Sequence, residues 1–190
     1  MPLNIPNTLT LLRIALFPVL VLVFYMPFNG HLLVAAGVFS VAAITDWIDG
    51  YLARRLGQMT AFGAFLDPVA DKLMVSCALV VLVQADPRPA LAVAAAIIIG
   101  REIAVSALRE FMAGLGLRSR VAVATVGKVK TVLQMVAIGL MLYQYPIGPL
   151  PTYEFGYGLL LGAAVLTLWS MGVYLKAAWP SIRPGAPLDS

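Results

Sequence analysis

The stretch Asp46–Asp71, DWIDGYLARRLGQMTAFGAFLDPVAD, decides how this chain is read. It holds four of the six aspartates in 190 residues. Apolar runs flank it on both sides, so Asp46, Asp49, Asp67 and Asp71 fall in or beside candidate membrane spans. Carboxylates in such places are costly and usually functional. At about 100° per residue, Asp46, Asp49 and Ala53 share one narrow helical face, flanked by Gly50 and Arg54. Gly63, Asp67 and Asp71 follow at intervals of four and form one stripe on the next helix. A short loop makes the two helices an antiparallel pair, so the four carboxylates are expected to converge at one depth.

Composition agrees with a membrane setting. The chain is 61% hydrophobic and only 12% charged, with a mean hydropathy of +0.92. A soluble domain carries about a quarter charged residues, and a helix needs roughly 20 apolar residues to span a bilayer. The reading is an all-α polytopic membrane protein with six transmembrane helices. They run near 9–28, 32–54, 63–85, 89–112, 121–143 and 156–178, with boundaries loose by about two to four residues. Breaks with turn chemistry separate them: Pro27 to Gly30, Gln58 to Thr60, Asp86 to Pro89, Gly114 to Ser119, and Pro146 to Pro151. Residues 1–179 form one membrane domain, and 180–190 a flexible tail. The first apolar run has no cleavage signature and is read as a retained span.

Basic residues set the orientation. Arg54, Arg55, Arg109, Arg118, Arg120, Lys176 and Arg183 fall on one side and only Arg88 on the other. Both termini are therefore expected in the cytoplasm. His31, in a short outer loop, reads as solvated. Trp169 and Trp179 read as packing and interfacial residues. The lone Cys77 reads as packing. The net charge of +4 fits a surface meeting anionic lipid and gives no argument for nucleic acid.

Four carboxylates cannot share a small site without compensation. Their oxygens suit hard divalent cations, magnesium, manganese or calcium, and no His or Cys set exists for zinc. Two such ions about 4 Å apart clamp a phosphoryl centre and its leaving group. Gly50, Ala53 and Gly63 lack bulk, so a nucleotide or pyrophosphate can approach the backbone. The bland alternatives are an interhelical salt-bridge network or a cation pathway. A cation-coupled transporter predicts polar residues along a full path across the membrane, and the outer halves of these spans are nearly free of charge.

The pattern D-x2-D-G-x2-A-R-x8-G-x3-D-x3-D resembles the signature of the CDP-alcohol phosphatidyltransferase family. Asp46, Asp49, Gly50, Ala53, Arg54, Gly63, Asp67 and Asp71 fill it without departure. The resemblance implies a dinuclear site of two divalent cations, Mg2+ or Mn2+, held by Asp46, Asp49, Asp67 and Asp71. It implies CDP-diacylglycerol as the donor, bound near Asp49, Gly50, Ala53, Arg54 and Gly63, and usually a homodimer among membrane lipids. Asp71 becomes the candidate general base, with Asp67 and Arg54 assisting. Ligand and base roles for Asp71 are not separable at this point.

The acceptor is read from other segments. NIPNTLTLLRI at the start and GREIAVSALREFMAGLGLRSRVAVATVGKVKTVLQM in spans four and five resemble bacterial members of the family that use glycerol 3-phosphate. That resemblance implies a bacterial inner-membrane enzyme with its site facing the cytoplasm. Arg101, Arg118, Lys128 and Lys130 offer cations for a phosphate-bearing acceptor. Inositol phosphate, serine and phosphatidylglycerol stay open as acceptors. Arg109, Arg118 and Arg120 are equally accounted for by the positive-inside rule. Lys128 and Lys130 diverge by about 200° on a helical wheel and could instead snorkel. Glu102 could simply pair with a neighbouring base. Asn7, Thr10 and Arg13 repeat every three residues and could line the cytoplasmic end of the donor site or cap and anchor their helix. The last span carries little information.

Overall fold

A computed structural model describes residues 5–56, 61–114 and 125–182. They form six helices: α1 (Ile5–Tyr25), α2 (His31–Leu56), α3 (Ala61–Ala85), α4 (Pro89–Gly114), α5 (Thr125–Tyr143) and α6 (Thr152–Ile182). The expected breaks at Pro27–Gly30, Asp86–Pro89 and Pro146–Pro151 fall at junctions between them, whereas Gln58–Thr60 and residues 115–119 lie outside the described residues. α1 and α6 each start four residues earlier than expected, because polar Asn7 and Tyr153 join the helices without being apolar. α6 also runs on to Ile182, and residues 183–190 of the expected tail lie outside the described residues.

This is a multi-pass membrane protein. α1, α3, α4 and α6 contain stretches long and apolar enough to cross a bilayer. α2 and α5 carry shorter apolar stretches, His31–Asp46 and Val129–Tyr143. Residues 47 and 49–56 of α2 and 125–128 of α5 lie outside the described side chains, so these two stretches are the described parts of their helices. Large apolar side chains point outward all round the bundle, among them Leu22, Val80, Val93, Val132, Val165 and Trp169. Such a helix surface is stable only against lipid or another apolar partner. Trp169, 72% exposed, therefore lies on the outer surface and does not pack inside.

α1 packs against both α2 and α3, and these two touch each other only slightly among the described residues. α5 packs on α6 and α2, and α4 on α6 and α3. One apolar core joins the helices through Leu20, Phe39, Leu79, Leu91, Ile138 and Leu160.

Turns fix the far end of the bundle. Gly30 adopts φ +88°, a conformation glycine takes without strain. His31 then folds back, its Nδ1 2.9 Å from the carbonyl oxygen of Phe24. It covers one of the unpaired carbonyls at the end of α1 and stacks edge-on with Phe24 and Phe28. The expectation of a merely solvated His31 is thus corrected. Arg88 ties the α3–α4 turn to α6. Its Nε donates to Asp86 at 2.7 Å and its Nη1 to Glu154 at 3.0 Å. The guanidinium lies 3.8 Å from the ring centroid of Tyr157, and Tyr153 donates its hydroxyl to Asp86. The Arg88 hydrogen bond holds the Asp86 carboxyl below its usual range, and Asp86 in turn pushes the Arg88 pKa up.

α5 and α6 approach closely at Gly156. A Cβ there would lie 2.9 Å from the Ala137 carbonyl oxygen and 3.0 Å from side-chain carbons of Leu140 and Met141. The backbone oxygen cannot move without breaking α5. Gly156→Ala should therefore lower unfolding stability in detergent by about 1–3 kcal/mol, the usual range for overpacking. Gly162→Ala, where nothing lies within 4 Å, serves as the control and should lose nothing. Equal melting of the two variants would contradict the close approach.

Candidate active site

The aspartate motif is organised by a residue outside it. Arg13 on α1 is 1% exposed. Its Nη1 lies 2.8 Å from Asp46 Oδ1 on α2 and 2.6 Å from Asp71 Oδ1 on α3. At 1.5 Å per residue, all three lie about 12–15 Å from the same end of their helices. A guanidinium at this depth is costly unless paired and hydrogen-bonded, and Arg13 is paired with both carboxylates. Asp46 and Asp71 are thus brought together. α1 packs on both helices, and one arginine nitrogen joins their carboxylates. Thr10 and Asn7, about one and two turns before it, are also buried.

The carboxylates themselves are accessible. The Asp46 and Asp71 side chains are 36% and 42% exposed. They line a small cleft with Arg13, Ala43 and Met135. A wider apolar groove of about 560 Å³ continues from it between α2 and α5, sharing Phe39, Ala43 and Met135. Gly37 and Gly139 form part of its wall.

Asp49 sits three residues after Asp46 on α2, and Asp67 four residues before Asp71 on α3. Their side chains, and those of Gly50, Ala53, Arg54 and Lys128, lie outside the described ones, as does all of Arg118. Gly63 is buried. Among the described residues no three His, Cys, Asp or Glu side chains gather as a metal site. The donor chemistry nevertheless fits hard divalent cations. Asp46 and Asp71 present carboxylate oxygens side by side, and Arg13 supplies one positive charge to a motif bearing four negative ones.

A second polar cluster joins α4, α5 and α6. Arg101 Nη1 and Lys130 Nζ both donate to Glu102 Oε1, at 2.6 and 3.1 Å. Arg101 Nη2 donates to Ser170 Oγ at 3.2 Å. Arg101 and Lys130 are 6% and 2% exposed. Lys130 is therefore buried and paired, which corrects the snorkelling alternative. Two turns along α4, Arg109 donates to the Tyr174 hydroxyl at 3.1 Å. Both guanidiniums lie over the Tyr174 ring, 5.9 and 5.2 Å from its centroid. Arg109 thus does more than mark the positive side.

The expectation that the last span carries little information is corrected as well, since α6 supplies Ser170 and Tyr174. The available signal was their spacing of four on α6 opposite arginines spaced by eight on α4. Tyr174→Phe keeps the ring and removes only the hydroxyl that Arg109 uses. It should reduce unfolding stability by about 0.5–1.5 kcal/mol, and Tyr174→Ala by more, since a buried aromatic is also lost. Chemical denaturation in micelles measures both, and an unchanged Tyr174→Ala would remove the clamp.

Comparison with known sequences agrees with the geometry. The family model described as CDP-alcohol phosphatidyltransferase matches residues 3–169. A Pseudomonas fluorescens protein named CDP-diacylglycerol–glycerol-3-phosphate 3-phosphatidyltransferase is 53% identical over 95% of this chain and 92% of its own. Proteins of the same name from Salmonella choleraesuis (strain SC-B67) and Escherichia coli (strain K12) are 53% and 52% identical, each over 94% of this chain and 96% of its own. With most of its length matched in both ways, the chain belongs to the CDP-alcohol phosphatidyltransferase family.

Proposed function

We propose that this chain transfers the phosphatidyl group of CDP-diacylglycerol to sn-glycerol 3-phosphate, releasing CMP and giving phosphatidylglycerol phosphate. The observation that carries the reading is the Asp46–Arg13–Asp71 bridge within the complete aspartate motif. Identity of 52–53% to relatives named for this reaction supports the acceptor.

In the proposed reaction the acceptor hydroxyl attacks the lipid-side phosphorus in line. A new P–O bond forms as the pyrophosphate bond breaks, and CMP leaves with the bonding electrons. The hydroxyl proton passes to a carboxylate, with Asp71 the candidate base. Asp46, Asp49, Asp67 and Asp71 are the residues suited to hold two divalent cations, Mg2+ or Mn2+. Those ions would supply charge neutralisation at the pyrophosphate. Arg13 holds Asp46 and Asp71 in register, so their geometry is set before substrate arrives. Asn7, Thr10, Gly50, Ala53, Arg54 and Gly63 are assigned to the donor. Arg101, Arg118, Lys128 and Lys130 are assigned to the acceptor phosphate. The donor is a membrane lipid, and the α2–α5 groove gives its acyl tails an apolar path beside the carboxylates.

The finer topology follows the same reading: six crossings, both termini in the cytoplasm, the site facing the cytoplasm of a bacterial inner membrane, and a homodimer. Charge asymmetry between the loops supports the orientation.

Purified protein should release CMP from CDP-diacylglycerol only with glycerol 3-phosphate and a divalent cation. Chelation should stop release reversibly, and Asp67→Asn should lower it by at least about a hundredfold. Faster release with serine or inositol phosphate would reassign the acceptor, and full activity in chelator would remove the metal site. The groove has its own test. Gly139 lines the groove and a Cβ there meets nothing within 4 Å, so Gly139→Phe is placed to fill it. It should raise KM for long-chain CDP-diacylglycerol about three- to tenfold, roughly the loss of one or two buried methylenes. KM for glycerol 3-phosphate should stay put. An unchanged donor KM would place the tails elsewhere.

A further inference from the structure

Glu102 is not part of the aspartate motif, yet two of the deepest cations among the described residues converge on it. We infer that Glu102 is a placeholder anion that holds Arg101 and Lys130 together until the acceptor's phosphate displaces it. The inference rests on the assignment of those two cations to the acceptor.

Both cations donate to one oxygen, Oε1 of Glu102. Two donors from different helices meeting at a single acceptor oxygen form a ready anion site. The partners differ in burial. The Arg101 and Lys130 side chains are 5% and 2% exposed, whereas Glu102 is 30% exposed. Arg101 is also anchored by a second helix. Arg101 is held from α6 by Ser170 and lies over Tyr174. The more accessible carboxylate is the one free to leave, while Arg101 keeps its α6 partners and Lys130 its burial.

The charge balance points to a particular ligand. Two buried cations and one carboxylate leave an excess of one positive charge, which is costly away from water. A phosphate monoester dianion would balance both cations alone. The donor inventory points the same way. Arg101 Nε is buried without a hydrogen-bond partner, on a side chain more than nine-tenths buried. A carboxylate that already gives one oxygen to two donors leaves this N–H unmet. A phosphate, with more acceptor oxygens, can take up a further donor. Arg109 Nε is buried without a partner as well, so the two cations on one oxygen are the feature that singles out this cluster.

Displacement predicts an effect opposite to ordinary damage. Glu102→Gln removes the competing charge and keeps the side-chain shape. KM for glycerol 3-phosphate should fall about two- to fivefold, the range for releasing a partly exposed ion pair. Inorganic phosphate, used as a competitive inhibitor against glycerol 3-phosphate, should bind tighter by the same factor. KM for CDP-diacylglycerol should not change. Glu102→Asp, which keeps the charge but draws the carboxylate back by one methylene, should move both constants in the same direction by less. It decides the matter if Glu102→Gln does not fold.

Lys130→Met separates this idea from the acceptor assignment. It should raise KM for glycerol 3-phosphate with the donor KM unchanged. If it raises the donor KM instead, the cations belong to the nucleotide and both readings fall. If Lys130→Met behaves as expected while the Glu102 variants leave KM unchanged or raise it, the acceptor assignment stands. Glu102 is then a structural partner, and the displacement is overturned.

Discussion

Burying one guanidinium constrains the rest of this molecule. Arg13 lies at a depth where water is scarce, and a charge there must find opposite charge at close range. It finds two carboxylates on two other helices, at 2.8 and 2.6 Å through a single nitrogen. That requirement fixes α1 against both α2 and α3, which hardly touch each other among the described residues. It also sets the rotation of both helices, since a turn of about 100° would carry either aspartate out of reach. The same bridge has a chemical consequence. It holds two oxygen donors side by side while leaving each carboxylate more than a third exposed, so they are ordered yet available.

The protein repeats this device with the signs reversed. At the aspartates one cation gathers two anions, and at Glu102 one anion gathers two cations. The first cluster has spare negative charge and suits metal ions and a pyrophosphate. The second has spare positive charge and suits a phosphate-bearing acceptor. A phosphoryl transfer between two phosphate-bearing substrates needs both kinds of site within one bundle. Met135, which lines the cleft beside Asp46 and Asp71, lies five residues from Lys130 on α5. α5 therefore contributes to both clusters.

Much of this was legible in the sequence, for identifiable reasons. The helix breaks could be read because proline, glycine and asparagine supply the turns, as at Pro27–Gly30. The aspartate motif could be read because its spacing puts carboxylates on helix faces inside apolar runs. Asp46 and Asp71 do share a depth. Their shared partner could not be foreseen, because Arg13 lies 58 residues from Asp71 along the chain and no local pattern links them. Along the sequence, only the three-residue spacing with Asn7 and Thr10 marks Arg13. Six spans were expected, and six helices are present, four of them with described stretches long and apolar enough to cross a bilayer. His31 read as solvated because a carbonyl waiting at the end of the previous helix leaves no mark in composition. Ser170 and Tyr174 went unread because their partners are on α4, and α6 alone resembles an ordinary apolar helix.

The central claim is that Arg13 couples α2 to α3 through Asp46 and Asp71. A double-mutant cycle on Arg13→Met and Asp71→Asn tests it most directly, with unfolding free energies measured in micelles for all four proteins. Residues joined in one ionic network couple by about 0.5–3 kcal/mol. The account predicts a coupling in the upper half of that range, with the double variant less damaged than the two single losses combined. Single losses that add within about 0.3–0.5 kcal/mol, as independent sites do, would contradict it.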